Sequence, residues 1–588
     1  MHRKECRTYR HHSYFSTVPN HTFPCPLFSY SGEFAMRHLL SLLLSALLLA
    51  PTFSYAMGGG SGSVEDTKAA ALEELRKSLP EATDEAPPTP MIDALLAKDT
   101  ATLNKLLEEG SNPNEANVAG MSILMLSAYT GEADIVNKLL DKGADVNALD
   151  ISDRTPLMFA SLNGNPKIIE AMIAKGADVN ALSGENKSAL FFAAGNGKTD
   201  AVRILLKNRA DVNVAEDSGL TPLMVAAQEG YSDTATVLLE HGADPTAKEK
   251  DNKTVLMYAV EGEDPRLVDI LLKKGANPKA KTRKREFSPL HFAIWKNNPA
   301  IINALLEAGA DPKAANIDGD TVLMAAIARN RLAIVKLLVA KGADVNRKGS
   351  RGNTSLMLAA QAGPAPLVQY FLDKGVPVNA VNDDDWSALT FASTGNHIDA
   401  IKVLLKAKAD MEVKDKTKGA TPLYLAALNG NLEATKVLLE NGANPNTTGF
   451  FETTPLMEVA KRGRAVFVNL LADHGADVNL VDKHSMTALH YACTTKNEKV
   501  VEALIRHGAD VHVKTEQNVT PLVYAAWYGD EGSVRALLEA GADPNVIDND
   551  GRTPLDYAIE RSRSRAVLDL LTKAGGKRSA ELRTGKAG

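Results

Sequence analysis

The sequence has little cysteine, few aromatic rings and no marked excess of one charge. Its three cysteines are Cys6, Cys25 and Cys493. Two of them precede an apolar stretch at 39–50, so no disulfide framework is available downstream of it. Aromatic residues make up 5% of the chain, which suits thin helical layers packed with Leu, Ala, Val and Met. A formal net charge of −6, with 23% charged residues, gives no basis for general nucleic-acid or lipid binding. Catalytic motifs are also missing: there is no His-Glu-x-x-His, Cys-x-x-Cys or Gly-x-Ser-x-Gly. Gly197-Lys198-Thr199 imitates the end of a phosphate-binding loop, but Phe192 holds the position where that loop needs its earlier glycine.

The N-terminal region carries one address-like segment. Met36-Arg37-His38 opens the twelve-residue apolar stretch Leu39 to Ala50, and small residues Ser54 and Ala56 follow. This order of basic start, apolar centre and small-residue cleavage site predicts a secretory signal over 36–56. The stretch falls short of the roughly 20 apolar residues of a membrane helix. Residues 1–35 lack periodicity and read either as an extension from a start placed too early, or as a genuine extension with an anchoring hydrophobic segment. Residues 57–88 are expected to form a flexible linker: Gly58 to Ser63 is a Gly/Ser tether, and Leu72, Leu75 and Leu79 predict a short helix. The expected location is the periplasm or the medium, with the cytoplasm as the alternative if 36–56 is not a signal.

Beyond residue 110 one phrase returns: Gly143-Ala144-Asp145-Val146-Asn147, then Gly176 to Asn180, Gly342 to Asn346 and Gly475 to Asn479. A second phrase keeps step with it, as in Thr155-Pro156-Leu157, Thr221-Pro222-Leu223, Ser288-Pro289-Leu290 and Thr520-Pro521-Leu522. The period is 33 residues, stretched to 34 between Thr254 and Ser288 and between Ser387 and Thr421. Thr155 is a good N-cap, and Pro156 sits at the first helical position, where its missing N–H costs nothing. A first helix of about nine residues should end near Gly164; Asn165-Pro166 starts a second, and Gly176 closes it. Helices this short need neighbours on both sides.

These phrases resemble the ankyrin-repeat family, whose signature is Thr-Pro-Leu-His in a repeat of about 33 residues. The resemblance covers 89–575 and implies an all-α solenoid of about fifteen stacked helix-turn-helix units with β-turn fingers, a cut-down first repeat at 90–114 and a disordered tail at 576–588. The signature histidine is retained at His291 and His490 but is methionine at Met158, Met224, Met257, Met324, Met357 and Met457, which leaves the family's polar tie between repeats in question there. The helix-turn glycine is replaced at Asn297, Asn330, Lys496 and Ser562, where irregularities are expected.

The resemblance also implies a protein partner, held on the concave face of the first helices and on the finger tips, in place of catalysis. In register, those positions hold Tyr129, Lys284, Arg285, Phe287, Trp295, Trp386, Phe450, Phe451, Trp527 and Tyr528. Trp and Tyr are the residues most enriched at binding hot spots, although any single ring can equally pack on the next repeat. Lys279, Lys281, Arg283, Lys284 and Arg285 crowd one finger, a run suited to steering an acidic protein or an anionic surface. His474 and His507, at equivalent places in adjacent repeats, fit solvated helix ends better than a metal site, and Cys493 fits a buried small hydrophobe better than a nucleophile. The expectation is therefore a monomeric, exported protein-binding scaffold without cofactor, metal, nucleic-acid partner or stable membrane span. Its role would be to inhibit, or protect against, an envelope hydrolase or toxin. The alternatives are a secreted effector engaging host proteins, or a cytosolic adaptor.

Overall fold

The computed structural model describes residues 89–562 and 564–584. The signal and linker expected at 36–88, and the segment 1–35, lie outside the described residues. Two compact units divide the chain between Ala189 and Leu190. The described part of the first unit contains three helix pairs: Pro90–Leu96 with Thr100–Glu108, Ile123–Thr130 with Ala133–Asp141, and Pro156–Asn163 with Pro166–Ala174. The second unit continues from Thr199–Lys207 through eleven more pairs, the last being Pro554–Tyr557 with Arg565–Lys573. Among the described residues there is no strand; isolated antiparallel bridges, such as Lys248 with Thr254, close some of the fingers.

Local chemistry sets each helix. The Oγ1 of Thr221 accepts from the backbone N–H of Met224 at 3.3 Å, and Pro222 occupies the first turn. First helices run four to eight residues, against the expected nine, and Pro156–Asn163 ends at Gly164, which takes the left-handed step. Second helices of nine residues carry their apolar stripe at 3–4 spacing, as in Leu267, Val268 and Leu271, all fully buried. Within each unit, first helix packs on first helix and second on second in successive repeats.

Where the helix-turn glycine is replaced, the backbone keeps its left-handed step. Asn297, Asn330 and Lys496 have φ of 56°, 54° and 54°. Asparagine tolerates this region and lysine is less suited to it. At the fourth departure the helix instead widens into a π turn over Ala558–Ser562.

The Asn of the Gly-Ala-Asp-Val-Asn phrase is a rung between repeats. In the first unit, Asn147 donates to the Gly176 carbonyl at 3.0 Å and accepts from the Asp178 N–H at 2.8 Å. In the second, Asn446 does the same to Gly475 and Asp477 at 3.1 and 2.7 Å, and Asn479 to Gly508 and Asp510 at 3.1 and 2.8 Å. After Asn213, which reaches Gly242 at 3.2 Å, the rung position holds Thr246, Lys279 and Lys313 in turn.

The histidine-to-methionine exchange has a split outcome. Methionine keeps the cap: the N–H of Thr354 lies 3.4 Å from Met357 Sδ. Only a polar residue reaches the next repeat. His490 Nε2 lies 3.2 Å from the Val519 carbonyl, and at Tyr424, which takes the same place, the hydroxyl meets Thr453 Oγ1 at 2.7 Å. The buried Tyr424 ring needs a glycine opposite it, since a Cβ on Gly449 would stand 2.6 Å from its Cζ.

The tail differs from the disordered segment expected at 576–588. Ser579–Thr584 forms a helix. The segment before it is bonded to the last repeat: Thr553 Oγ1 donates to the Lys577 carbonyl at 2.8 Å, the Ser579 N–H donates to Asp556 at 2.9 Å, and Arg578 pairs with the same carboxylate at 3.2 Å. Burial alone would raise the pKa of Asp556, but the N–H groups of Ser579 and Thr553 and the Arg578 guanidinium hold it down to about 2. A charged run at a chain end reads as solvated, and the sequence does not disclose that a buried carboxylate waits for it.

Candidate partner-binding surface

The expected site residues do not form one site. Tyr129, in the first unit, is half-buried, and its carbonyl accepts from Asn163 of the following repeat at 3.0 Å. The others fall at separate places along the second unit.

The most developed group surrounds Trp295. Phe287, directly before the cap Ser288, meets the Trp295 ring edge to face at 4.5 Å, and Phe292 closes a third side at 5.2 Å. All three rings are half-buried. From the next repeat, the Arg329 guanidinium stands 5.9 Å from the Trp295 ring. Partial burial and the neighbouring Arg331 both lower the pKa of Arg329. On the other side Lys253 lies 4.0 Å from the Tyr258 ring and pairs with Glu261 at 2.6 Å.

The finger leading into this group is one residue longer than most, which accounts for the 34-residue spacing. Thr282 is buried and its Oγ1 accepts from the Phe287 N–H at 3.1 Å. Glu286 turns the chain at φ 56°. Two of the five cations are neutralised: Lys281 by Glu286 at 2.8 Å and Arg285 by Asp318 at 3.2 Å. Lys279, Arg283 and Lys284 are exposed, with no acidic partner among the described residues.

Elsewhere the rings are more committed to packing. Trp386 is half-buried against Phe391 at 5.0 Å and joins the cluster of Ala420, Tyr424 and Leu425. Trp527 is 36% exposed, but one face stacks on Tyr557 of the next repeat at 5.0 Å and Arg561 stands 5.0 Å from its ring. Tyr528 is 41% exposed. Phe450 and Phe451 form an exposed pair 3.9 Å apart at a finger tip; Phe451 takes the left-handed φ of 59°, and Lys483 lies 3.8 Å over its ring. A ring in that backbone region is strained.

Sequence reasoning missed a register position four residues after the cap. It holds Phe159 in the first unit, and Phe192, Tyr258, Phe292, Phe391, Tyr491, Tyr524 and Tyr557 in the second. The 33-residue recurrence of these rings was the available signal. Two of the tyrosines donate to a finger carboxylate: Tyr491 to Asp482 and Tyr557 to Asp548, each at 2.5 Å. Burial and the Asp548 bond push Tyr557 up to about 12.

The remaining candidates for chemistry are occupied otherwise. Cys493 is fully buried, and burial pushes its thiol up, away from the reactive thiolate. His474 Nδ1 bonds the Leu470 carbonyl at 2.9 Å, and His507 Nε2 lies 3.2 Å from Asn469. Among the described residues no three His, Cys, Asp or Glu side chains gather as a metal site, and no helix is long and apolar enough to cross a membrane.

The comparisons agree with the geometry. The family model described as "Ankyrin repeats (3 copies)" matches residues 91–183, 180–249, 246–316, 290–382, 356–449 and 446–515, and that described as "Ankyrin repeats (many copies)" matches 504–558. The ankyrin repeat and KH domain-containing protein mask-1 of Caenorhabditis elegans is 37% identical over 62 residues. That match covers 10% of this chain and 2% of the nematode protein. Matched almost continuously from residue 91 to 558, the chain belongs to the ankyrin-repeat family, whose stacked repeats are protein-binding scaffolds.

Proposed function

We propose that the chain is an exported scaffold that holds a protein partner on the first-helix face and fingers of its second unit, and that it performs no chemistry of its own. The observation that carries this reading is the Phe287–Phe292–Trp295 cluster. It is a preassembled, half-exposed aromatic patch with Arg329 beside it, the combination that dominates binding hot spots. Export rests on the signal-like segment 36–56, and the periplasm is the proposed location. There the scaffold would restrain, or protect against, an envelope hydrolase or toxin.

The test is affinity capture from an envelope extract with the wild-type chain and with Trp295→Ala, read by mass spectrometry. A partner retained by the first and weakened roughly 30-fold with the second is the expected result. Equal recovery would remove the aromatic cluster from the binding site. Cell fractionation with N-terminal mass mapping checks export: a mature start near Met57 in the periplasm supports it, an uncleaved cytoplasmic chain overturns it, and protein in the medium favours an effector.

A further inference from the structure

The chain carries a net charge of −6, yet one finger of the second unit concentrates cations that its own structure does not neutralise. The preceding finger mixes Lys248, Lys250 and Lys253 with Glu249 and Asp251, and the following one holds Lys313 with Asp318 and Asp320, so the neighbours offset only part of the excess. Arg285 pairs with Asp318, and the Asp251 carbonyl accepts the Arg283 backbone N–H at 2.7 Å, which leaves the Arg283 guanidinium free. Lys279 stands where other repeats place the Asn rung, so a residue that could hold the neighbouring repeat is replaced by an exposed cation. Arg329, over Trp295, likewise has no acidic partner among the described residues. Four cations without an acidic partner among the described residues therefore sit on the finger that leads into the aromatic cluster and beside Trp295.

We propose that the finger Lys279–Phe287, together with Trp295 and Arg329, receives an extended acidic segment of the partner protein, with three or four carboxylates meeting the cations and one bulky apolar side chain packing on Phe287 and Trp295. This rests on the scaffold reading above and specifies its ligand. Charge complementarity selects the acid. The preceding finger alternates Lys248, Glu249, Lys250 and Asp251, and Asp318 and Asp320 of the following finger interrupt the cations before Arg347 and Lys348, so no continuous cationic track serves a nucleic-acid backbone and its evenly spaced phosphates. The rings are half-buried against each other, whereas entry into a lipid surface needs protruding apolar groups. A carboxylate-bearing peptide needs only a short cationic stretch and a place to seat one apolar anchor.

The experiment pans phage-displayed random dodecapeptides on the full chain and measures enriched peptides by fluorescence anisotropy. Expected are sequences with clustered Asp and Glu beside Trp, Phe or Leu. Their Kd should weaken by at least ~10-fold between 50 and 500 mM NaCl. It should weaken by at least ~30-fold on Lys279→Glu/Arg283→Glu/Lys284→Glu, with Lys-for-Glu mirror peptides binding that variant instead. All three substitutions are on an exposed finger, and the salt dependence of the wild-type chain stands as a readout independent of the variant's folding. Acidic peptides that bind the triple variant unchanged overturn the proposal. Enriched peptides without acidic bias that are still lost with Trp295→Ala also overturn it, while leaving the scaffold reading in place. No enrichment at all overturns both. Flotation of the full chain with vesicles of phosphatidylcholine and phosphatidylglycerol, abolished in the triple variant, overturns it in favour of a lipid surface.

Discussion

Two stretches of the second unit share a backbone and differ in what joins their repeats. From Gly442 to Asp510 the rungs of Asn446 and Asn479 clamp each repeat to the next through two hydrogen bonds apiece. From Gly242 to Gly342 the same positions hold Thr246, Lys279 and Lys313 without that clamp, and the repeats are joined by their buried Leu, Ile and Ala layers and by finger bonds such as the Arg283 N–H to the Asp251 carbonyl. The phrase that defines the fold therefore carries two separable jobs. Gly and Ala shape the turn in most copies, with Arg209 and Lys408 taking the glycine's left-handed step at φ 66° and 61°; the Asn is adhesive, and it can be exchanged for a cation without loss of the turn. The stretch without rungs is also the one that carries the Trp295 cluster, so glue has been traded for a charged surface where a partner is proposed to bind.

The largest expected effect breaks the comparison, because acid acts on both stretches alike. Burial lowers His291 and His490 from 6.5 to about 4, so each folded site favours the neutral ring. The stabilisation is complete above pH 6.5, the unfolded value, and is lost as pH falls towards 4. Across that window each imidazole should forfeit up to about 3 kcal/mol. Urea unfolding followed by circular dichroism at several pH values should show this slope, and His291→Met with His490→Met, the residue used by sibling repeats, should flatten it.

Removing the rungs sharpens the comparison. Asn446→Ala with Asn479→Ala should cost about 2 kcal/mol, since four part-exposed hydrogen bonds are worth about 0.5 kcal/mol or more each. Hydrogen exchange should speed up between 442 and 515 and stay unchanged between 242 and 342. Restoring a rung works in the opposite direction: Lys313→Asn should slow exchange around Gly342, with a gain of about 0.5 kcal/mol. If it does nothing, then the missing Asn is not what separates the stretches. The smallest effect is expected at Phe451. There Phe451→Gly relieves a left-handed backbone and should stabilise by a few tenths of a kcal/mol after the entropic cost of glycine, measured as a shift in thermal midpoint.

Most of the fold was legible because its determinants are local. Thr221 with Pro222 announces a helix start, and the repeat phrase fixes where each helix stops. The aromatic cluster was legible in part: Phe287 and Trp295 come from register positions that face outward, and they do meet. Phe292 and Arg329 were missed, the first because it sits at a position that is core in some repeats, such as those of Phe159 and Tyr258, the second because it comes from the following repeat. Trp527 looked available for the same reason in reverse, as Tyr557 and Arg561 arrive from the next unit of sequence to cover it. A periodic pattern tells which face a residue takes; it does not tell what the neighbouring copy places against it.

The fit of Tyr424 against Gly449 has a consequence for how such a chain can grow. Arrays of this kind lengthen and shorten by copying or deleting whole units, and a unit held only by Leu, Ala and an Asn rung can be moved between places in the array. The unit beginning at Thr421 cannot move alone. Its tyrosine requires a successor whose finger opens with glycine and offers Thr453 to the hydroxyl, so the two must be inherited together. Recombination that separated them would leave a ring pressed on a Cβ, and this junction, like that of Met324 with Gly349, ties two neighbouring units to each other.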